Sequence, residues 1–401
     1  MQVDAFSDET VPVNLLRERA FNMRWAEQPP DVIPLTAADP DFPIAPAIRE
    51  RIARHAMEGV MSYGPPLGLP RFRDAVAGWM RETRGIACSA GSVMAADSAA
   101  SAMAVVARAS LRPGDEVLIP DPVDFLFRHV VQRAGAVAVP VPLSAGTTAA
   151  DFVAALASRL SPRTRMLWLC NPHNPLGLVH PQAWLEAVLQ WALGCGLRVL
   201  SDEVWSDIVY APHRHLSPAA LSAEAAARVV TVYGFSKGFA LAGLRVGCIV
   251  CTDPAWFRAI AEASDAQSTV YGVSTLSQVA ATAALEEARP WLQGFVNHLQ
   301  AQRDFAVARL RRWPGVQVRA PQGTYVLFPE VRALDADAER LCADLKEQAR
   351  VALVPGAERW FGRGAAGHLR LCFATSRRIL DTALDRIDGW LERRGTGCAR
   401  T

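Results

Sequence analysis

The chain of 401 residues is 51% hydrophobic and 20% charged, a composition that fits core-forming globular proteins and excludes disordered and fibrous ones. Its 42 basic and 40 acidic residues balance to +2, which excludes a general binder of nucleic acid or anionic membrane and leaves only local anion sites. The length exceeds what one hydrophobic core usually serves, so two domains are expected.

The N-terminal MQVDAFSDET lacks the basic and apolar regions of a secretory signal, and no apolar run approaches transmembrane length, so a cytoplasmic protein is expected. Through PPDVIPLTAADPDFPIAP, residues 29–46, the prolines predict an extended path. From about residue 110, short apolar runs alternate with amphipathic stretches. EVLIP, AVAVPVPL, TRMLWLC, LRVLSDE, RVVTVYGF and VGCIVC read as strands, most of them covered on both faces, and Ala183 to Gly196 reads as a helix between two of them. Strand and helix in alternation predict a mainly parallel α/β sheet, whose ligands gather at the carboxyl ends of the strands. Trp291 to Trp313 has helical spacing over a length that could bridge two domains, which places a boundary near Trp291. Beyond it VQVRA, GTYVLFPE and HLRLCFA alternate with the helical ERLCADLKEQA, the pattern of a smaller α+β unit. The eight cysteines lack disulfide or zinc spacing. Cys248 and Cys251 form a C-x-x-C, but inside the apolar VGCIVC they read as small core residues, so free thiols and no metal are expected.

Within YGFSKGFALAGLRVG, Lys237 is one of two lysines in the chain, the other being Lys346; arginine supplies the other 40 basic residues. An amine can lose its proton and attack a carbonyl, whereas a guanidinium in a protein cannot, so Lys237 is a candidate nucleophile; a plain surface lysine is the alternative. In LSDEVWSDIVY, Asp202 and Glu203 end an apolar strand and face opposite sides of the pleat, so one of them can point into a site. NPHNPLG, residues 171–177, breaks the chain at the carboxyl end of TRMLWLC. Singly these are ordinary loop features; their order with Lys237 is informative.

That series, NPHNPLG, SDEVW, FSKGFALAGLRVG and LRLCFA, resembles the signature of fold-type I pyridoxal-phosphate enzymes, specifically class I and II aminotransferases and their carbon-sulfur β-lyase relatives. The resemblance runs in order from about residue 37 to 376. It implies a large domain with a mainly parallel sheet (46–290), a small C-terminal α+β domain (291–401) joined by an N-terminal arm (1–45), a homodimer with its site at the interface, and amino acid and keto acid substrates. It implies pyridoxal 5'-phosphate bound to Lys237 as an imine, with the freed amine carrying the α-proton. Asp202 would pair with the pyridine nitrogen, and Asn174 with the phenolic oxygen and the substrate. Arg245, Ser236 and the amides of Ala99 and Ala100 would hold the phosphate. Tyr63 would reach the phosphate from the neighbouring subunit, and Arg370 would clamp the substrate α-carboxylate.

Four positions depart from the family pattern. Leu176 replaces a threonine, Gly234 a serine and Trp205 a tyrosine, and the place where an aromatic ring commonly stacks on the cofactor falls at or near Asp124, so that either Phe125 substitutes or the stacking is absent. GLRVG, YGPPLG and GTYVLF resemble the aminotransferase branch, whereas NMRW, AADPDF and DEVW resemble the β-lyase branch. Both reactions begin by removing the α-proton. Transamination is the expected reaction, with a cystathionine β-lyase-type carbon-sulfur lyase or a specialised biosynthetic pyridoxal-phosphate enzyme as the alternative.

Overall fold

The computed structural model describes residues 5–268 and 272–398, so the first four residues of the expected arm lie outside it. The described strands are β1 (Ile33–Pro34), β2 (Val93–Ala96), β3 (Glu116–Asp121), β4 (Val137–Pro142), β5 (Thr164–Cys170), β6 (Arg198–Asp202), β7 (Val229–Gly234), β8 (Gly247–Val250), β9 (Val326–Leu327), β10 (Val351–Ala352), β11 (Val354–Pro355) and β12 (Leu369–Cys372). Seven of them form one sheet in the order β2-β8-β7-β6-β5-β3-β4. From β4 to β7 the neighbours are parallel, and β8 runs antiparallel to both β7 and β2. The fold is therefore α/β with a mainly parallel sheet, as the strand and helix alternation predicts. β2 is not among the expected strands: VMAA is four residues long and half alanine, too little for a periodic signal.

Alternate residues of these strands enter two cores, Leu167 and Val199 on one face and Met166, Trp168 and Leu200 on the other. Helices cover both faces, which is why the strands read as continuous apolar runs. Register matters more for function. Cys170 pairs with Asp202 and Asp202 with Val232, so β5 and β6 end level and β7 runs two residues further, to Gly234. The loops after them, which carry Asn174, Glu203 and Lys237, leave the sheet at one edge.

The smaller unit has an antiparallel sheet in the order β11-β12-β9. The helix expected over ERLCADLKEQA runs Ala338–Gln348, and the long connecting helix runs Arg289–Leu310. VQVRA, however, is not a strand; only Gln317 bridges to Glu330. Val316 and Val318 touch the core while Gln317 and Arg319 face water, and Pro321 closes the run before a ladder can form. The extended start joins this unit, because β1 pairs in parallel with β10. Among the described residues the cysteines are unbonded, and Cys248 and Cys251 are buried, with burial pushing the Cys251 thiol up to about 12. The thiol of Cys398 lies outside the described side chains. Among the described residues no helix is long and apolar enough to cross a membrane.

A buried ion pair fixes the N-terminal segment. Arg24 donates to Asp41 Oδ1, which also accepts from Trp25 Nε1 at 2.7 Å, and Arg24 Nη1 donates to Pro34 O at 2.8 Å. The Asp41 amide in turn reaches Ala374 O at 3.0 Å, next to β12. Removing one partner leaves the other charge buried and unpaired, which costs about 3–5 kcal/mol. Asp41→Ala is therefore expected to lower the urea midpoint by that equivalent; a loss under about 1 kcal/mol would show that the pair does not hold the segment.

Candidate active site

The carboxyl ends of β5, β6 and β7 open onto a cavity of about 330 Å³. Its walls combine the sheet with Ala37 and Ala38 of the N-terminal segment and with Val354, Trp360, Phe361 and Arg370 of the smaller unit. Lys237 lies in the short helix Phe235–Gly238 directly after β7. Its Nζ donates to Ala38 O at 2.6 Å and sits 5.3 Å from the centre of the Trp205 ring. Burial pulls this amine's pKa below its ordinary value, and the carboxylate of Asp39 draws it partly back.

Asp202 ends β6 on the cavity side. Burial pushes its pKa up to about 7, against one hydrogen bond from the Val204 amide at 3.1 Å. Glu203 points the other way, as the pleat requires. It accepts from Ser201 Oγ at 2.9 Å and Ser217 Oγ at 2.6 Å and bonds His215 Nε2 at 2.8 Å. Burial alone would raise its pKa, but His215 and Ser217 hold it below the ordinary value.

Asn174 leaves β5 on the NPHNPLG loop. Its amide nitrogen donates to Asp124 Oδ2 at 3.0 Å, and its amide oxygen accepts from Arg370 Nη1 at 3.3 Å; two partners of opposite kind set the orientation of the amide. Arg370, on β12, also donates to Thr36 O at 3.4 Å and lies 5.0 Å from the Phe361 ring. Its Nε is buried and has no partner among the described residues.

At the opposite end of the cavity the helix Ala99–Ser110 begins. Ser98 caps it by accepting from the Ser101 amide at 3.1 Å, and Arg245 Nη2 donates to the same hydroxyl at 3.1 Å. The first amides of a helix have no intrahelical acceptor, and its N-terminus favours an anion. Ala99, Ala100, Ser236 and Arg245 line this end. A Cβ on Gly247 would stand 2.9 Å from Ser98 C and 3.1 Å from Ala99 N, so only glycine lets β8 pass this close to the helix start. At Gly234 a Cβ would already be 3.2 Å from Val204 Cγ2 and 3.4 Å from Ala99 Cβ, which leaves a serine little room.

All the expected site residues line this cavity except Tyr63, which is 94% exposed. Phe125 is on the wall, its ring edge-on to Trp360 at 5.8 Å. Asp124 caps the helix Phe125–Arg133 by accepting from the Leu126 amide at 3.1 Å. Reading the sequence missed Ser98, Ala38, Trp360 and Phe361. Ser98 was legible, since a serine ahead of the apolar AASAMAVVA is an N-cap signal. Trp360 and Phe361 sit in the four-residue helix Glu358–Phe361, too short for any periodicity.

The family model described as aminotransferase class I and II matches residues 30–387. The chain belongs to this family. This aminotransferase is 31% identical over 372 residues to the "probable aspartate/prephenate aminotransferase" of Aquifex aeolicus (strain VF5), covering 90% of this chain and 91% of the relative. It is 33% identical over 373 residues to the Petunia hybrida "bifunctional aspartate aminotransferase and glutamate/aspartate-prephenate aminotransferase", covering 89% and 76%. Among solved structures it resembles an aromatic aminotransferase from Pyrococcus horikoshii OT3, with a TM-score of 0.83, 30% identity, and coverage of 91% and 97%. A PLP-bound putative aminotransferase from Clostridium difficile 630 superposes with a TM-score of 0.85 at 25% identity, covering 94% and 97%. The aminotransferase depends on pyridoxal 5'-phosphate and acts on amino and keto acids; the β-lyase alternative is not favoured. The residues present suit that cofactor: an amine, an acid, a helix N-terminus beside an arginine, and a buried guanidinium N–H with no partner among the described residues.

Asp202 gives a pH prediction for the cofactor-free protein. The ordinary value of its carboxyl is 3.8 and the folded value about 7, so between them the folded state holds the extra proton. Stability from this group therefore falls as pH rises from about 4 to about 7. Asp202→Asn is expected to gain stability relative to the parent across that window, read as urea midpoints at pH 5 and pH 7. A constant difference would mean that Asp202 ionises normally.

Proposed function

We propose that this aminotransferase works through the single amine of Lys237, in a cleft whose other cations each meet one anionic group of cofactor or substrate. The observation that carries the reading is the meeting, in one cavity, of a lysine amine with a lowered pKa and a buried Arg370 N–H that has no partner among the described residues. When bound, pyridoxal 5'-phosphate supplies an electron sink that makes the α-proton of an amino acid removable. Lys237 takes that proton at Nζ, and a lowered pKa leaves more of the amine neutral and ready to act as base. Asp202 keeps the pyridine nitrogen protonated, since a cation beside it favours the carboxylate. Arg370 holds the α-carboxylate with its planar fork, steadied by the Asn174 amide, which also serves the phenolic oxygen. Arg245, Ser236, Ser98 and the amides of Ala99 and Ala100 hold the phosphate.

Tyr63 fits this scheme only with a second copy of the chain, so the working unit in our reading is a symmetric homodimer. The exposure of Met57 (88%), Val60 (67%) and Met61 (56%) beside it supports an interface there. We also read residues 46–290 as the large domain and 291–401 with the arm 1–45 as the small one, an arrangement supported by the β1 to β10 pairing. A cytoplasmic location completes the reading.

Borohydride reduction followed by peptide mapping should find cofactor on Lys237; a label on Lys346 would overturn the assignment. Lys237→Ala should stay folded, capture no cofactor covalently and lose turnover. For the dimer, mixing Lys237→Ala with Tyr63→Phe gives hybrids in which one site carries both lesions and the other carries neither. Activity well above the sum of the separate samples is expected; none, with subunit exchange demonstrated, would mean that Tyr63 does not cross between subunits.

A further inference from the structure

The cationic groups on the described walls of the cleft are Lys237, Arg245 and Arg370. With the roles given above, each is engaged: the amine in proton transfer, Arg245 with the phosphate, Arg370 with the α-carboxylate. The remaining wall toward the smaller unit is mostly apolar, built from Met23, Phe125, Val354, Trp360 and Phe361, with Asn22 as a polar member at its edge. Phe125 and Trp360 meet edge to face, at 5.8 Å and 78°, and both rings line the cavity, so a side chain entering there meets aromatic surface. Among the described residues two charged side chains border this wall: Arg370, whose guanidinium lies 5.0 Å from the Phe361 ring and is engaged as above, and a carboxylate, Asp124. It is held in place by the Asn174 amide at 3.0 Å and by its own cap to Leu126. Beyond Phe125 and Phe361 lie Arg128 and Arg363, but both engage Glu358: Arg128 donates to its carbonyl at 2.8 Å and Arg363 to its carboxylate at 3.2 Å. Arg359 pairs with Glu339 at the surface.

We propose that the cleft selects amino acids with a large apolar or aromatic side chain over dicarboxylic ones, with Asp124 as the residue that excludes a second carboxylate. This rests on the assignments of Arg245 and Arg370 above. A dicarboxylic side chain would bring an unpaired anion against Asp124 and an aromatic wall, where a buried carboxylate has no partner to replace its water. A phenyl or branched aliphatic side chain loses nothing on leaving water and gains ring contacts with Phe125, Trp360 and Phe361. The relatives named for aspartate are then relatives in fold and chemistry whose side-chain pocket differs.

The test uses the cofactor-loaded enzyme and two readouts. In the first half-reaction, followed by cofactor absorbance, phenylalanine and leucine are expected to exceed aspartate and glutamate in kcat/KM by on the order of 100-fold. In equilibrium titration with unreactive acids, 3-phenylpropanoate should bind more tightly than succinate. Asp124→Asn keeps the helix cap, since asparagine caps as well as aspartate, and is expected to tighten succinate about tenfold while leaving 3-phenylpropanoate nearly unchanged. Trp360→Ala is expected to weaken 3-phenylpropanoate about tenfold and spare succinate. Equal or tighter binding of succinate by the unaltered enzyme, or faster turnover of aspartate, would overturn the proposal, since some cation, including one from a second copy, would then reach the slot. Failure of every amino acid to react while the two acids still discriminate would sink the catalytic roles and leave the pocket assignment standing.

Discussion

Much of the site depends on one hydrogen bond, from Lys237 Nζ to the carbonyl of Ala38 across 199 residues of sequence. A buried ammonium is costly unless something replaces its water, and here the replacement is a neutral carbonyl rather than a carboxylate. A carbonyl satisfies one N–H without adding the charge that would hold the proton on the amine, so the lysine is positioned and still able to give the proton up. The same carbonyl accepts from Tyr325 Oη at 3.1 Å, which ties it to the smaller unit as well. The Arg24 to Asp41 pair, the β1 to β10 pairing and the Thr36 to Arg370 contact all serve to keep that carbonyl where the amine needs it.

The sheet makes the other half of the constraint. Two adjacent carboxyl groups, Asp202 and Glu203, emerge from one strand end and receive opposite treatment. Glu203 meets a histidine and two hydroxyls and stays ionised, whereas Asp202 meets one backbone amide and the cavity, and burial drives its pKa to about 7. A carboxyl left short of partners is unfavourable for the empty protein. It becomes favourable once a cation stands beside it, which is what the proposed pairing with a protonated ring nitrogen would supply.

The central strands of the parallel sheet were legible because they are buried on both faces and show as apolar runs, the largely exposed edge strand β4 because its composition is still apolar, and the long helices because their spacing repeats over several turns. Lys237, Asp202 and Asn174 were legible because each sits at a strand end or just beyond one, and Arg370, inside β12, because LRLCFA closes a motif series of recognisable order. What escaped has a common cause. β2 is four residues with two alanines, Trp360 and Phe361 lie on a single helical turn, and Ala38 acts through its backbone, which no side-chain pattern encodes. VQVRA misled in the opposite sense, since alternation alone cannot supply the neighbouring strand that a ladder needs. Tyr63 is a different case, because its expected partner belongs to another copy of the chain.

The departures from the family pattern sort by position. Leu176 packs against the core away from the cavity, and at Gly234 the space that a larger residue would take is already bounded by Val204 and Ala99. Trp205 and Asp124, by contrast, both face the cleft and both act on the charge of Lys237. The indole face lies 5.3 Å from the amine, a contact worth about 0.5–1 kcal/mol toward the charged form, and Asp124 favours that form through space. Together they oppose the desolvation that pulls the pKa down. They add to the larger pull of the Asp39 carboxylate in the same direction. Support for the charged form is thus spread over a ring face and two carboxylates with no direct ion pair to the amine, an arrangement that suits the proton-transfer role proposed for Lys237.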